Sequence, residues 1–182
     1  MKIHKFCLWA LLPALLLMAG SAVAGVQHIT QCGTVIDEPG KYTLKNDLLD
    51  CTEIGITISS SDVKLDLMNH EITCSGAIAG VFLVGSEEES VRDVTIKKGS
   101  VSNCAYGIAL IYAEASKVMN VTSSGNFDTG IAVWSSSNIV VKNNHTYANG
   151  AHGIQSWESS NNLIKHNTSM DNGGDYSGSG ID

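Results

Sequence analysis

Gly130-Ile131-Ala132-Val133-Trp134 and Gly153-Ile154-Gln155-Ser156-Trp157 stand 23 residues apart and decide the architecture. In the first, a glycine leads a run whose first and third places are aliphatic; in the second Ile154 and Ser156 fill those places. Successive side chains on a strand point to opposite faces, so this period of two predicts short strands with one buried edge. The same figure returns upstream as Gly107-Ile108-Ala109-Leu110, Gly80-Val81-Phe82-Leu83 and Gly55-Ile56-Thr57-Ile58, and Gly180-Ile181-Asp182 opens another copy. Between the glycines lies a second apolar stretch, as in Val63-Lys64-Leu65-Asp66-Leu67 and Ile139-Val140-Val141, bounded by Asn and Ser. Apolar runs of four or five residues that give way to Asn/Ser/Gly turns do not make helices.

The glycines fall 25, 27, 23, 23 and 27 residues apart. A repeat of that length with two or three strands predicts a parallel solenoid in which each repeat makes one coil. A leucine-rich repeat would carry a leucine frame that is missing, a propeller blade needs about 40 residues, and a sandwich would show hairpin turns. The inward columns are then Ile56/Val81/Ile108/Ile131/Ile154 and Ile58/Leu83/Leu110/Val133/Ser156. Stacked like charges repel at strand spacing, which accounts for a charged fraction of only 16%. Pro39, the one proline beyond residue 24, is placed ahead of the first coil.

Residues 1–24 have the form of a secretory signal peptide: Lys2 and Lys5, an apolar run, and Ala22-Val23-Ala24 before Gly25. The run is too short to span a bilayer and no later segment is long enough, so no membrane span is expected. Removal of the two lysines takes the net charge from −7 to −9. An acidic chain lacks the footprint of a nucleic-acid binder, and none is expected as a partner. Cys32, Cys51, Cys74 and Cys104 remain, an even set that in an exported chain implies two disulfides with three pairings open. Cys32–Cys51 and Cys74–Cys104 are favoured, the second pair lying about one repeat apart. The domain plan is a signal peptide at 1–24, an N-terminal entry segment at 25–54 and β-helix repeats over 55–182, in a secreted or periplasmic protein.

The Gly-Ile-x-Ile figure with Asn-rich turns resembles the right-handed parallel β-helix repeat of pectate-lyase-like proteins. So do Cys32-Gly33-Thr34-Val35 with Glu38-Pro39-Gly40-Lys41-Tyr42, and the stretch from Val63 through Asn69-His70-Glu71-Ile72. The resemblance implies an all-β, right-handed parallel β-helix, of about five coils by the glycine count. Because Asp182 falls three residues into a new coil, a chain lacking its C-terminal end, or an open edge that pairs with another chain, is expected. Polysaccharide lyases, uronate epimerases and glycoside hydrolases share this fold, although one fold hosts many functions. The Asp-Pro-His-Asp string of alginate-type epimerases does not occur, and Ala151-His152-Gly153 echoes only one of several polygalacturonase signatures. Whether the chain is an enzyme stays open; a catalytic version would be a lyase or epimerase.

Candidate chemistry gathers in the later coils. Lys142, His145, His152, Lys165 and His166 are the candidates for moving a proton or neutralising a carboxylate. Asp171 and Asp175 offer oxygens to calcium but lack the ordered ligand spacing of a known loop, so a turn is the favoured reading. No cofactor is required by the sequence, and calcium is the one these residues leave room for. Asn120-Val121-Thr122, Asn144-His145-Thr146 and Asn167-Thr168-Ser169 match glycosylation acceptors and are read as turn chemistry. Trp134 and Trp157 each lie four places past their glycine, hence outward and one above the other. Ile111 and Val84 extend that column, with Phe82/Ala109/Ala132/Gln155 beside it. An outward apolar strip is a contact surface, and indole faces carry sugar rings. Trp134, Trp157, Phe82 and Tyr147 are therefore the expected substrate-binding residues of a protein that binds an extended polysaccharide along the stack. The alternative is a structural or adhesive module whose Trp strip meets another protein.

Overall fold

The computed structural model describes residues 25–178. The expected signal peptide lies outside the described residues, and the copy of the repeat expected to open at Gly180 is corrected: the strand stacked on His152–Trp157 is Gly174–Gly178, with Tyr176 opposite Ile154, 22 residues on and without a glycine-isoleucine start. What is described is strand and turn throughout, wound as a parallel β-solenoid. No helix among the described residues is long and apolar enough to cross a membrane.

Seven strands stack on the first face: Thr34–Ile36, Ile56–Ile58, Ala79–Val84, Tyr106–Ile111, Ile131–Trp134, His152–Trp157 and Gly174–Gly178. The second face is built from Gln27–Ile29, Gly40–Leu44, Val63–Asp66, the first halves of Thr95–Ser102 and Lys117–Ser124, then Val140–Lys142 and Leu163–Lys165. A third face carries Leu48–Cys51, Glu71–Cys74, His145–Tyr147 and Thr168–Met170. Thr95–Ser102 and Lys117–Ser124 run on round the corner between the second and third faces, so those two join as one 11-stranded sheet. Val91–Arg92 and Ala113–Glu114 pair at the corner between the first and second.

Both predicted inward columns are in register and buried. Seven stacked strands make about six turns, one more than the glycine count. The extra turn comes from segment 25–54, where Gly33-Thr34-Val35-Ile36 pairs with the Ile56–Ile58 strand, Thr34 opposite Ile56. Threonine at the first inward place hid this copy of the repeat. Pro39 accordingly sits inside the first coil, at the corner before Gly40–Leu44, rather than ahead of it.

The corners explain the Asn and Asp content. Asp62, Asp93, Ala115, Asn138 and Asn161 hold one corner in the left-handed region, and Met68, Lys98, Asn120, Asn143 and His166 hold the next. Asn and Asp accept that conformation more readily than other side-chain-bearing residues. Other asparagines point inward. Asn126, Asn149 and Asn172 form a ladder in which Asn126 Nδ2 donates to Asn149 Oδ1 at 2.8 Å and Asn149 Nδ2 to Asn172 Oδ1 at 2.8 Å. The same Oδ1 atoms accept the backbone N–H of the coil before: Cys104 N to Asn126, Asn126 N to Asn149, Asn149 N to Asn172. Asn144 and Asn167 build a second ladder, 3.1 Å between amides. Asn144 is buried, in keeping with turn chemistry rather than a glycan acceptor.

The disulfides are Cys32–Cys51 and Cys74–Cys104, with Cα separations of 5.6 and 4.8 Å, as favoured from the sequence. They clip the early coils. Cys104 is also the lowest rung of the asparagine ladder, so one corner passes from a covalent staple to a hydrogen-bonded column.

Candidate functional site

A cleft of about 490 Å³ opens on the first face among Tyr106, Asp128, Trp134, His152, Gln155 and Trp157, with Ala151 and Glu158 at its sides. Its floor follows from register. Trp134 lies opposite Trp157 on adjacent strands, and Ile111 and Val84 continue that column. The neighbouring column runs Phe82, Ala109, Ala132, Gln155. The two indoles differ. Trp134 is half-buried, donates from Nε1 to Gln155 Oε1 at 2.9 Å, and stands T-shaped to Tyr106 at a ring distance of 4.9 Å and an angle of 86°. Trp157 is 59% exposed and offers a ring to solvent. One indole is oriented by its neighbours and the other is open, which suits a platform with a fixed and an adaptable end.

Beside the platform, Tyr106 Oη donates to Asp128 Oδ2 at 3.2 Å, and Asp128 Oδ1 accepts from Thr129 Oγ1 at 2.9 Å. Burial pushes the Tyr106 phenol above its ordinary value, and the Asp128 carboxylate reinforces this through its charge and then its hydrogen bond. The phenol is a protonated donor at neutral pH. His152 Nδ1 is buried and has no hydrogen-bond partner among the described residues. The ring rests over the strand edge at Gly174, where a Cβ would come within 2.8 Å of Nδ1. Tyr106 and His152 thus bring a phenol and an imidazole ring to the cleft, beside two carboxylates, Asp128 and Glu158. Among the described residues no Lys or Arg lines it.

The sequence candidates are distributed over three faces. Trp134, Trp157 and His152 converge in the cleft, and Phe82 stands further along the adjoining column. Tyr147 lies on the third face, where its ring sits 5.1 Å from His145. Lys142 and Lys165 are register partners on the second face. His166 occupies a left-handed corner, and His145 pairs with Thr168, so these two histidines do not stack. Asp171 is also at a left-handed turn, and Asp175 lies in the strand Gly174–Gly178. Among the described residues no group of three or more His, Cys, Asp or Glu is placed to hold a metal ion. The sequence reading missed Tyr106 and Asp128. A signal was available: Tyr106, Thr129 and His152 each immediately precede a repeat glycine, so they share one column at the rim of the first face.

Residues 25–182 match the family described as a right-handed β-helix region, which also sets the hand of the solenoid. Two solved structures share the fold. The Azotobacter vinelandii mannuronan C-5 epimerase AlgE4 A-module superposes with a TM-score of 0.61 at 18% identity, over 83% of this chain and 48% of that one. The enzymatically active domain of the bacteriophage CBA120 tailspike protein 2 gives 0.56 at 15% identity, over 83% and 30%. The chain therefore spans about half or less of the length of each. No curated protein gives a sequence match.

Proposed function

The chain belongs to the right-handed β-helix family, and on that premise we propose that it is an exported protein that binds an extended polysaccharide across the first face and processes it at the Tyr106/Asp128/His152 end of the cleft. The observation that carries this is the Trp134–Trp157 pair, aligned on adjacent strands with one ring fixed and one exposed, opening directly onto the polar end of the cleft at Tyr106, Asp128 and His152. Sugar rings present flat apolar faces to such indoles, and a solenoid offers a new binding step every ~4.8 Å along its axis. Support of a coarser kind comes from the mannuronan epimerase, a polysaccharide-acting protein of the same fold. Two disulfides suit an oxidising compartment, secreted or periplasmic.

The test is equilibrium binding of neutral and acidic polysaccharides, with and without calcium, to the wild type and to a Trp134→Ala/Trp157→Ala variant. Incubation with uronate polymers, followed by ultraviolet absorbance for an unsaturated product and by NMR for C5 inversion, reads turnover. Binding that the double variant loses supports the reading. A variant that keeps full affinity for neutral glycans, and for acidic ones in salt high enough to screen plain charge attraction, overturns it, and failure of every glycan to bind under those conditions transfers the strip to contact with a protein.

A further inference from the structure

The second face carries a charge pattern opposite to that of the chain. Two adjacent outward columns run along it: Lys41, Lys64, Thr95, Lys117, Val140, Leu163, and Thr43, Asp66, Lys97, Met119, Lys142, Lys165. They hold six lysines and one acid in a sequence with 11 Lys+Arg against 18 Asp+Glu. Lys41 directly faces Lys64, and Lys142 directly faces Lys165. Like charges opposed on neighbouring strands repel. Only Lys97 has a carboxylate partner, Asp66 at 3.1 Å; the other five lysines of the strip make no ion pair among the described residues. Four of those five are exposed and Lys142 is half-exposed.

We infer that this lysine strip is a second binding surface, for a linear acidic polysaccharide lying along the solenoid axis. Aligned cations on one face raise the local concentration of a polyanion even where the net charge is negative. Anionic groups spaced along a polymer would relieve the repulsion at Lys41–Lys64 and Lys142–Lys165, where among the described residues no ion pair does. The strip is two side chains wide, and Asp62 and Asp93 stand at its corner. Those acids repel a broad anionic plane such as a membrane while leaving room for a single strand. The surface is separate from the tryptophan cleft and carries its own prediction.

Polygalacturonate and heparin, a carboxylated and a sulfated polymer, are the probes, titrated into the full chain by calorimetry. At low ionic strength both bind. Affinity falls about tenfold or more in Lys117→Gln/Lys142→Gln/Lys165→Gln and as salt shortens the screening length. Trp134→Ala/Trp157→Ala leaves this binding unchanged. The unliganded triple variant melts no lower than wild type, because it loses a repulsion and no partner. The inference is overturned if neither polymer binds, if the triple variant binds as well as wild type, if the tryptophan variant abolishes binding, or if anionic phosphatidylglycerol vesicles bind and the polymers do not.

Discussion

Replacing Asn149 with alanine removes the middle rung of the buried ladder, and its cost can be worked from the bonds lost. Asn149 Oδ1 accepts from Asn126 N at 3.1 Å and Asn126 Nδ2 at 2.8 Å; its Nδ2 donates to Ser123 O at 3.1 Å and Asn172 Oδ1 at 2.8 Å. Alanine leaves two donors of Asn126 without an acceptor at a site that is 2% exposed, and a void in place of the amide. A buried donor left unmade costs ~1–3 kcal/mol, so the variant should lose about 3–5 kcal/mol. For a chain of this size each kcal/mol moves the midpoint by roughly 2–4 °C, so a fall of the order of 10 °C is expected. Calorimetry with urea denaturation measures it, and Thr168→Ala, at an exposed strand position, serves as the control. Solenoid unfolding need not be two-state, so the two probes should be compared before a free energy is extracted. A loss below about 1 kcal/mol, as expected for a surface residue, would refute the claim that the ladder holds the coils in register.

Three other perturbations follow from the same geometry. Gly107→Ala would place a Cβ 1.9 Å from Ser123 Oγ and 2.6 Å from Gly130 O, so it should destabilise by about 1–3 kcal/mol in a thermal melt, whereas Gly76→Ala meets nothing within 4 Å and suffers only from its positive φ. Asp128→Asn removes the carboxylate charge that helps raise the Tyr106 phenol and keeps an oxygen that can accept from it; phenolate difference absorbance against Tyr106→Phe should show Tyr106 ionising at lower pH than in wild type. Asp47 is held below the usual carboxylate range by the Glu71 N–H and then by His70, so its contribution to stability is complete above its ordinary 3.8 and is lost as pH falls through the lowered value. Melting curves across acid pH should therefore fall less steeply in Asp47→Asn, and an unchanged slope would contradict the assignment.

The aliphatic columns were legible because a strand's period of two fixes which side of each residue is buried, and the glycine register did the rest. Phe82, Ala109, Ala132 and Gln155, and the opposition of Trp134 to Trp157, followed from counting alone. Gly33-Thr34-Val35-Ile36 was hidden because recognition relied on an aliphatic residue in the first inward place, and a hydroxyl fills it there. The cleft was only half legible. Its platform lies in the repeat, but Tyr106 opens its strand just before the repeat glycine and Asp128 lies in the bend of the next coil, so their proximity depends on how adjacent coils stack. Lys142 and His152 are only ten residues apart in sequence, yet a solenoid sends them to different faces within a single turn.

Because the inner asparagines recur every 23 residues, each amide completing the bonds of the coil before it and presenting an identical acceptor to the one after, the later part of the molecule has a natural unit of length. Excising one whole unit between Asn126 and Asn149 would bring like atoms to like partners. Losing any other number of residues would leave every rung beyond it out of step. Lengthening and shortening by whole coils is thus the cheapest change open to this chain, and it would alter the reach of its outer surfaces without disturbing how they are held.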